Sequence, residues 1–288
     1  MEEFSRIKGK KRLPWKIDLH PYLYDHHVEG KAIFPAVEAL ITLAGAVKSN
    51  FPTACLDHME DAAFPRFLAV EPDNKALAVS IDLETGGDGA ITASLLSVVK
   101  SKAGDIHRNI EHARVKFLAV PAGDAPPHFF PDLRKLRGEC INVPALAIYR
   151  ELVPFGGAYQ NIEGDLSVSE DGALAYLSGG NGEANDDLLG SPFPLDAAMH
   201  AACVWGQRFT DIVPFPVGFA RRIICRQTKK RALYLGRIVP VDINPKTLIF
   251  DAWIYDLNGV IYEVVSGIQM QNVSRGRRMP PAWIKEGA

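Results

Sequence analysis

In "DHHVEGKAIFP", residues 25–35, His26 is followed by Gly30 and Pro35 in the pattern H-x-x-x-G-x-x-x-x-P. An imidazole with an ordinary pKa near 6.5 is a base at neutral pH. Here it precedes an apolar helical stretch, whose free N–H groups and positive dipole end can polarise a carbonyl oxygen. Gly30 lets a ligand approach the backbone closely. The set suits removal of a proton from the carbon alpha to a thioester. A second set lies in "FPLDAAMH", residues 193–200, where Asp196 falls in the first turn of another helix and His200 follows one turn later on the same face. If the two stretches meet, a base and an acid share one pocket. Asp196 must then be protonated, and burial is expected to raise its pKa. Read without that pairing, Asp196 is a carboxylate complementing a helix dipole and His26 belongs to a polar turn. His27 is read as a neighbour that faces solvent or supports His26 from outside the pocket. His20, His58, His107, His112 and His128 fit no constellation and are read as structural or exposed.

The elements that must position these groups occur twice in the same order. From Pro35, "PAVEALITLAGAV" has helical spacing, with a proline at its start where a missing N–H costs little. Strand-like runs follow at 66–70, 75–84, 91–99 and 112–120, separated by "EPDN" and "TGGDG". In the second half a helix over 193–209 precedes strands at 231–241, 247–257 and 260–273, with "NG" (258–259) as a hairpin turn. This is an α+β pattern. A lobe over 1–120, a proline-rich linker over 121–140 and a second lobe over 141–288 follow from it. Periodicity alone admits several α+β arrangements.

Composition narrows the class. The chain has 288 residues, is 47% hydrophobic and 23% charged, and carries a net charge of −2, which suits a globular protein not dominated by nucleic acid or membrane surfaces. Cys55, Cys140, Cys203 and Cys225 are widely spaced, so neither a zinc site nor a disulfide framework is expected. Neither a secretory signal nor a spanning helix is read, and the expected location is cytoplasmic.

"HPYLYDHHVEGKAIFP" (20–35) together with "FPLDAAMH" (193–200) resembles the dehydratase domain of modular polyketide synthases and, more distantly, the hydroxyacyl-carrier dehydratases of fatty acid synthesis. "FGGAYQ" (155–160) is similar to the family's Y-G-P-x-F segment, and "VPFPVGFARRI" (213–223) to its L-P-x-S stretch. The resemblance implies a double hotdog, in which each of two lobes wraps a central helix in an antiparallel sheet. It implies His26 as the base acting on a 3-hydroxyacyl thioester, Asp196 as the acid at the departing hydroxyl, and an enoyl thioester product. Gly30 would offer its N–H to the thioester carbonyl. His200 would support Asp196, while Pro35, Phe155, Gly156 and Tyr159 would border the substrate. Phe155 stands where the family has tyrosine and Gly157 where it has proline; Tyr159 is a candidate to restore the hydroxyl.

The expected protein is a free-standing dehydratase, monomer or homodimer, needing neither metal nor redox cofactor. Its substrate would arrive on the phosphopantetheine arm of an acyl carrier protein or on coenzyme A. The alternatives are double-bond isomerisation or cyclisation on the same fold, and a non-catalytic acyl- or carrier-binding protein. A basic run over 220–237, with Arg221, Arg222 and Arg226, reads either as a docking face for an acidic carrier or as a solvated strand edge.

Overall fold

A computed structural model describes residues 9–100, 107–119, 133–181, 188–273 and 277–286. In the first half, strand β1 (Lys10–Asp18) leads through a 3-10 turn (Pro21–Asp25) and a small hairpin, β2 (His27–Val28) with β3 (Lys31–Ala32), into helix α1 (Ala36–Asn50). Then come β4 (His58–Ala63), β5 (Ala76–Thr85), β6 (Ile91–Lys100) and β7 (His107–Phe117). The second half runs β8 (Ile141–Pro144), a short helix α2 (Ala145–Ala147) passing into a π-turn (Ile148–Leu152), a 3-10 turn (Gly157–Tyr159), β9 (Ile162–Ser169) and β10 (Gly172–Ser178). Helix α3 (Phe193–Phe209), β11 (Phe215–Ile224), β12 (Leu233–Ile243), β13 (Thr247–Tyr255), β14 (Ile261–Gln271) and α4 (Ala282–Glu286) complete it.

Twelve of the described strands form one antiparallel sheet in the order β1-β5-β6-β7-β4-β11-β14-β13-β12-β10-β9-β8. The order shows the repeat. After each central helix the first strand pairs with the last of its four, giving β4-β7-β6-β5 in one half and β11-β14-β13-β12 in the other. The strand before each helix then pairs beyond the second, β1 on β5 and β10 on β12. Two such units join where β4 meets β11, in a register that includes Phe219↔Ala62 and Arg222↔Met59.

The helices explain why the sheet curves. α3 is buried over every residue from Phe193 to Gln207, as a helix needs to be when sheet surrounds it. α1 buries Val37, Leu40, Leu43, Ala44 and Val47. Each large aliphatic side chain so enclosed contributes roughly 1.5–3 kcal/mol of burial energy. Inside the second unit Trp205 donates to the Ser169 carbonyl at 2.8 Å, which fastens α3 to β9.

Several elements depart from the sequence reading. "RFLAV" (66–70) is loop, with a single isolated bridge, Ile33↔Ala69, and the strand of that region is β4. β1, β8, β9 and β10 carry little alternation that one chain exposes, and pairing with neighbours forms them. The basic run does not lie on a sheet edge, because β11 is flanked by β4 and β14. Residues 121–132 of the expected linker, and His128 with them, lie outside the described residues. The terminal arm straps the second unit: Ile284 is buried, its carbonyl accepts from Arg208 at 2.9 Å, and Trp283 donates to Glu151 at 2.7 Å. The four cysteines are free thiols, and no helix among the described residues is long and apolar enough to cross a membrane.

Candidate active site

The segment before α1 delivers His26. The 3-10 turn ends at Asp25, and the His26 carbonyl accepts the Ile33 N–H at 2.9 Å, closing the hairpin. The Ile33 carbonyl in turn lies 3.1 Å from His26 Nδ1. A carbonyl can only accept, so Nδ1 carries the proton and Nε2 keeps the lone pair. The ring is 9% exposed, and burial pushes its pKa down to about 4, with Asp196 opposing and His200 adding to the fall. His26 is therefore a neutral base at physiological pH.

Asp196 and His200 come from the first two turns of α3. Asp196 Oδ2 and His200 Nε2 stand 3.0 Å apart, both buried and without another partner. Burial works to raise the Asp196 pKa, but the charges of His200 and then His26 outweigh it, and the carboxyl lies below its ordinary value. The expectation that burial decides its protonation is thus corrected: two neighbouring imidazoles compete with desolvation. Tyr149, in the π-turn, places its hydroxyl 3.4 Å from His200 Nδ1 and accepts the Ile162 N–H at 2.8 Å. Nothing in the sequence singled out Tyr149, since only the π-turn aims it at α3.

His26, Asp196 and His200 line one channel with Val28, Ile33, Phe34, Phe155, Met199 and Cys203. The two distant groups do converge. Burial holds the Cys203 thiol protonated, its pKa pushed up to about 12. Beyond them the channel runs past Leu95, His112 and Phe215, and exposed Arg66 and Phe67 mark its open end, with Arg278 also on the wall. His112, expected to be structural, lines this stretch while bonded to Ser97 at 2.7 Å and the Arg66 carbonyl at 3.1 Å.

Phe155 packs its ring 4.3 Å from that of His26 and 5.0 Å from that of His200. Gly156 is required by a close approach: a Cβ there would fall 2.5 Å from the Asp25 carboxyl. Asp25 is a bolt between the halves, accepting the Ala158 N–H at 2.9 Å while its carbonyl accepts the Gly156 N–H at 2.7 Å. His27 is half-buried against Phe155.

Four assignments need correction. Gly30 occupies the exposed tip of the β2–β3 hairpin with φ of +74°, and serves the turn rather than the channel wall. Pro35 caps α1 from beneath, while its neighbours Phe34 and Ala36 line the channel. Tyr159 is wholly buried behind His26, at 5.0 Å between rings, and does not line the channel; the hydroxyl beside His200 is that of Tyr149. Arg222 is 3% exposed and forms a two-point bridge to Glu263 at 2.8 and 3.0 Å, so it offers nothing to a partner's surface. Arg221 is partly buried and Arg226 is exposed.

Two helices of this kind, each wrapped by its own part of a shared antiparallel sheet, define a double hotdog. Solved structures agree on the fold. The chain is similar to the dehydratase domain from the CurF module of curacin polyketide synthase, at 18% identity and TM-score 0.72 over 94% of this chain and 96% of that one. It is also similar to the dehydratase domain of RzxB from Pseudomonas fluorescens, at 17% identity and TM-score 0.65 over 85% and 87%. A trans-AT polyketide synthase dehydratase domain from Brevibacillus brevis gives 17%, 0.71, 92% and 94%. Residues 146–280, the stretch bearing Asp196 and His200, match the family model described as polyketide synthase dehydratase N-terminal domain. No curated protein matches.

Proposed function

We propose that the protein removes water from a 3-hydroxyacyl thioester. The observation that carries this reading is the convergence of a neutral buried imidazole, His26, and the Asp196–His200 contact on one mostly apolar channel. His26 Nε2 takes the proton alpha to the thioester carbonyl, and the developing oxyanion needs donors. The first-turn N–H groups of α1 begin at Ala36, on the channel wall, at the positive end of a fifteen-residue helix. Asp196, which must first take up a proton against the pull of the neighbouring imidazoles, passes it to the departing hydroxyl, the C–O bond breaks, and water leaves. His200 lies 3.0 Å from Asp196, and Tyr149 orients that imidazole from behind. Return of a proton from His26 and uptake of one at Asp196 close the cycle.

Arg66 and Arg278 on the wall favour an anionic carrier arm, as in a phosphopantetheine thioester of an acyl carrier protein. The similar structures include a bifunctional dehydratase-cyclase domain from ambruticin biosynthesis, so ring closure after water loss is the second reading. Purified protein is to be incubated with 3-hydroxyacyl thioesters on carrier protein and on coenzyme A, with the products weighed by mass spectrometry. Loss of one water, abolished by His26→Ala, supports the proposal; no mass change on any chain length or carrier overturns it. A loss of water followed by an isomeric product with no enoyl absorbance points to cyclisation.

A further inference from the structure

The β6–β7 pair runs on past the rest of the sheet. β5 parts from β6 after the Ser80↔Leu96 pair, and β4 parts from β7 after Ala63↔Arg114. Beyond those points β6 and β7 face only each other among the described strands, through Ser97↔Ile110, Val98↔Asn109, Val99↔Arg108 and Lys100↔His107. Both faces of this ribbon are open, since Val98 is 50% exposed and Val99 48%. A two-stranded ribbon is marginally stable by itself in water, so it gains from a cover.

The root of the ribbon is channel wall. Leu95 pairs with Ala113 and Leu96 with Glu111, which makes His112 the extra residue of a β-bulge. A bulge re-aims a side chain, and the His112 ring reaches the wall near the open end. The Arg66 carbonyl accepts from its Nδ1 at 3.1 Å, so its Nε2 accepts the Ser97 hydroxyl at 2.7 Å. That contact fixes which face of the ribbon looks on the opening. Opposed residues share a face, so Ser97 with Ile110 and then Val99 with Arg108 continue the wall outward, while Val98 and Asn109 look away. Glu111 also looks away and meets Arg114 at 3.5 Å. At the same opening Phe67 is 46% exposed and Arg66 is exposed beside it. The opening is therefore bordered by apolar side chains, Phe67, Val99 and half-buried Ile110, and by two exposed arginines, Arg66 and Arg108.

We propose that this face is the docking surface of an acidic carrier protein, whose phosphopantetheine arm enters the channel beside it. Phe67, Val99 and Ile110 supply the apolar contact, and Arg66 and Arg108 meet the carrier's carboxylates. Charges at such a rim act mainly on encounter and on the choice of partner. Coenzyme A brings the same arm without a protein attached, and would leave the ribbon unused. The inference rests on the dehydratase reading for the cargo, but carrier binding is measured without turnover. Fluorescently labelled holo acyl carrier proteins from polyketide and fatty acid synthases are the probes, followed by anisotropy at low and high salt. Binding to the wild type should weaken as salt rises. Arg108→Glu and Val99→Glu, both outside the channel lining, should each bind about tenfold more weakly while turning over a 3-hydroxyacyl pantetheine thioester as the wild type does. Either variant binding as tightly as the wild type overturns the proposal, as does a wild type that binds none of the carriers. An equal loss on the pantetheine thioester overturns it too. A protein that binds carriers through this face yet turns over no thioester counts against the dehydratase reading alone.

Discussion

The Asp25 carboxylate accepts the backbone N–H of Ala158 at 2.9 Å, tying the segment that presents His26 to the loop that presents Phe155. The two are 133 residues apart in sequence, and the carboxylate fills space that a side chain at Gly156 would occupy. The site's geometry depends on this contact between the halves.

Asp25→Ala should therefore release the loop and cost about 1.5–3 kcal/mol of stability, by the usual value of a charge-assisted hydrogen bond. Turnover should fall more than stability suggests, because Phe155 then no longer holds the two imidazoles apart. Gly156→Ala should be at least as damaging, since its Cβ meets the Asp25 carboxyl at 2.5 Å. Denaturant unfolding together with turnover of both variants checks this.

The pH dependence of stability offers a second test. His26 has a folded pKa near 4 against about 6.5 unfolded, so between those values the unfolded chain binds the extra proton. Its contribution is complete above pH 6.5 and is lost as pH falls toward 4, by about 3 kcal/mol. Glu38, raised to about 7, has the opposite sign: the folded state binds the extra proton, and its contribution is lost as pH rises from about 4.5 to 7. The two slopes nearly cancel. Wild-type stability should be flat from pH 4.5 to 6.5, Glu38→Gln should grow more stable with rising pH, and His26→Phe should do the reverse. Urea midpoints at five pH values decide it.

The Arg222–Glu263 pair is almost wholly enclosed near the seam between the lobes. Glu263→Ala leaves a buried guanidinium unpaired and should cost about 3–5 kcal/mol, whereas replacing both by apolar residues of similar volume should be near neutral. A double-mutant cycle in guanidinium chloride measures the difference. Equal losses in the single and the double variants would remove the ion pair from the account.

Tyr149→Phe deletes the hydroxyl that reaches His200 Nδ1 and the Ile162 N–H. We expect kcat to fall about tenfold with KM little changed, because the imidazole loses orientation rather than contact with substrate. Phe155→Tyr, which places a hydroxyl on the ring between the two histidines, should leave the fold intact and shift the pH profile.

The amino-acid sequence by itself determined the two central helices and the hairpin at Asn258–Gly259, and it offered His26 and Asp196 as a pair only on the condition that their two stretches meet. Helix periodicity, proline placement and side-chain chemistry are local properties, and they survive without coordinates. It also carried the repeated order of elements, which the sheet makes visible as two matching sets of four strands. Only the tertiary structure decided the rest. Gly30 and Pro35 read as wall residues but are a turn and a cap, because spacing does not say which side of a hairpin faces the channel. Arg222 read as surface charge, yet a strand placed between β4 and β14 buries it opposite Glu263. Asp196 was expected to be governed by burial, a property of one residue, and is governed by two imidazoles from different elements. Glu38 and Tyr149 had no signature at all. Their meaning is electrostatic and directional, and both follow from which groups the folded chain brings within a few ångströms of one another.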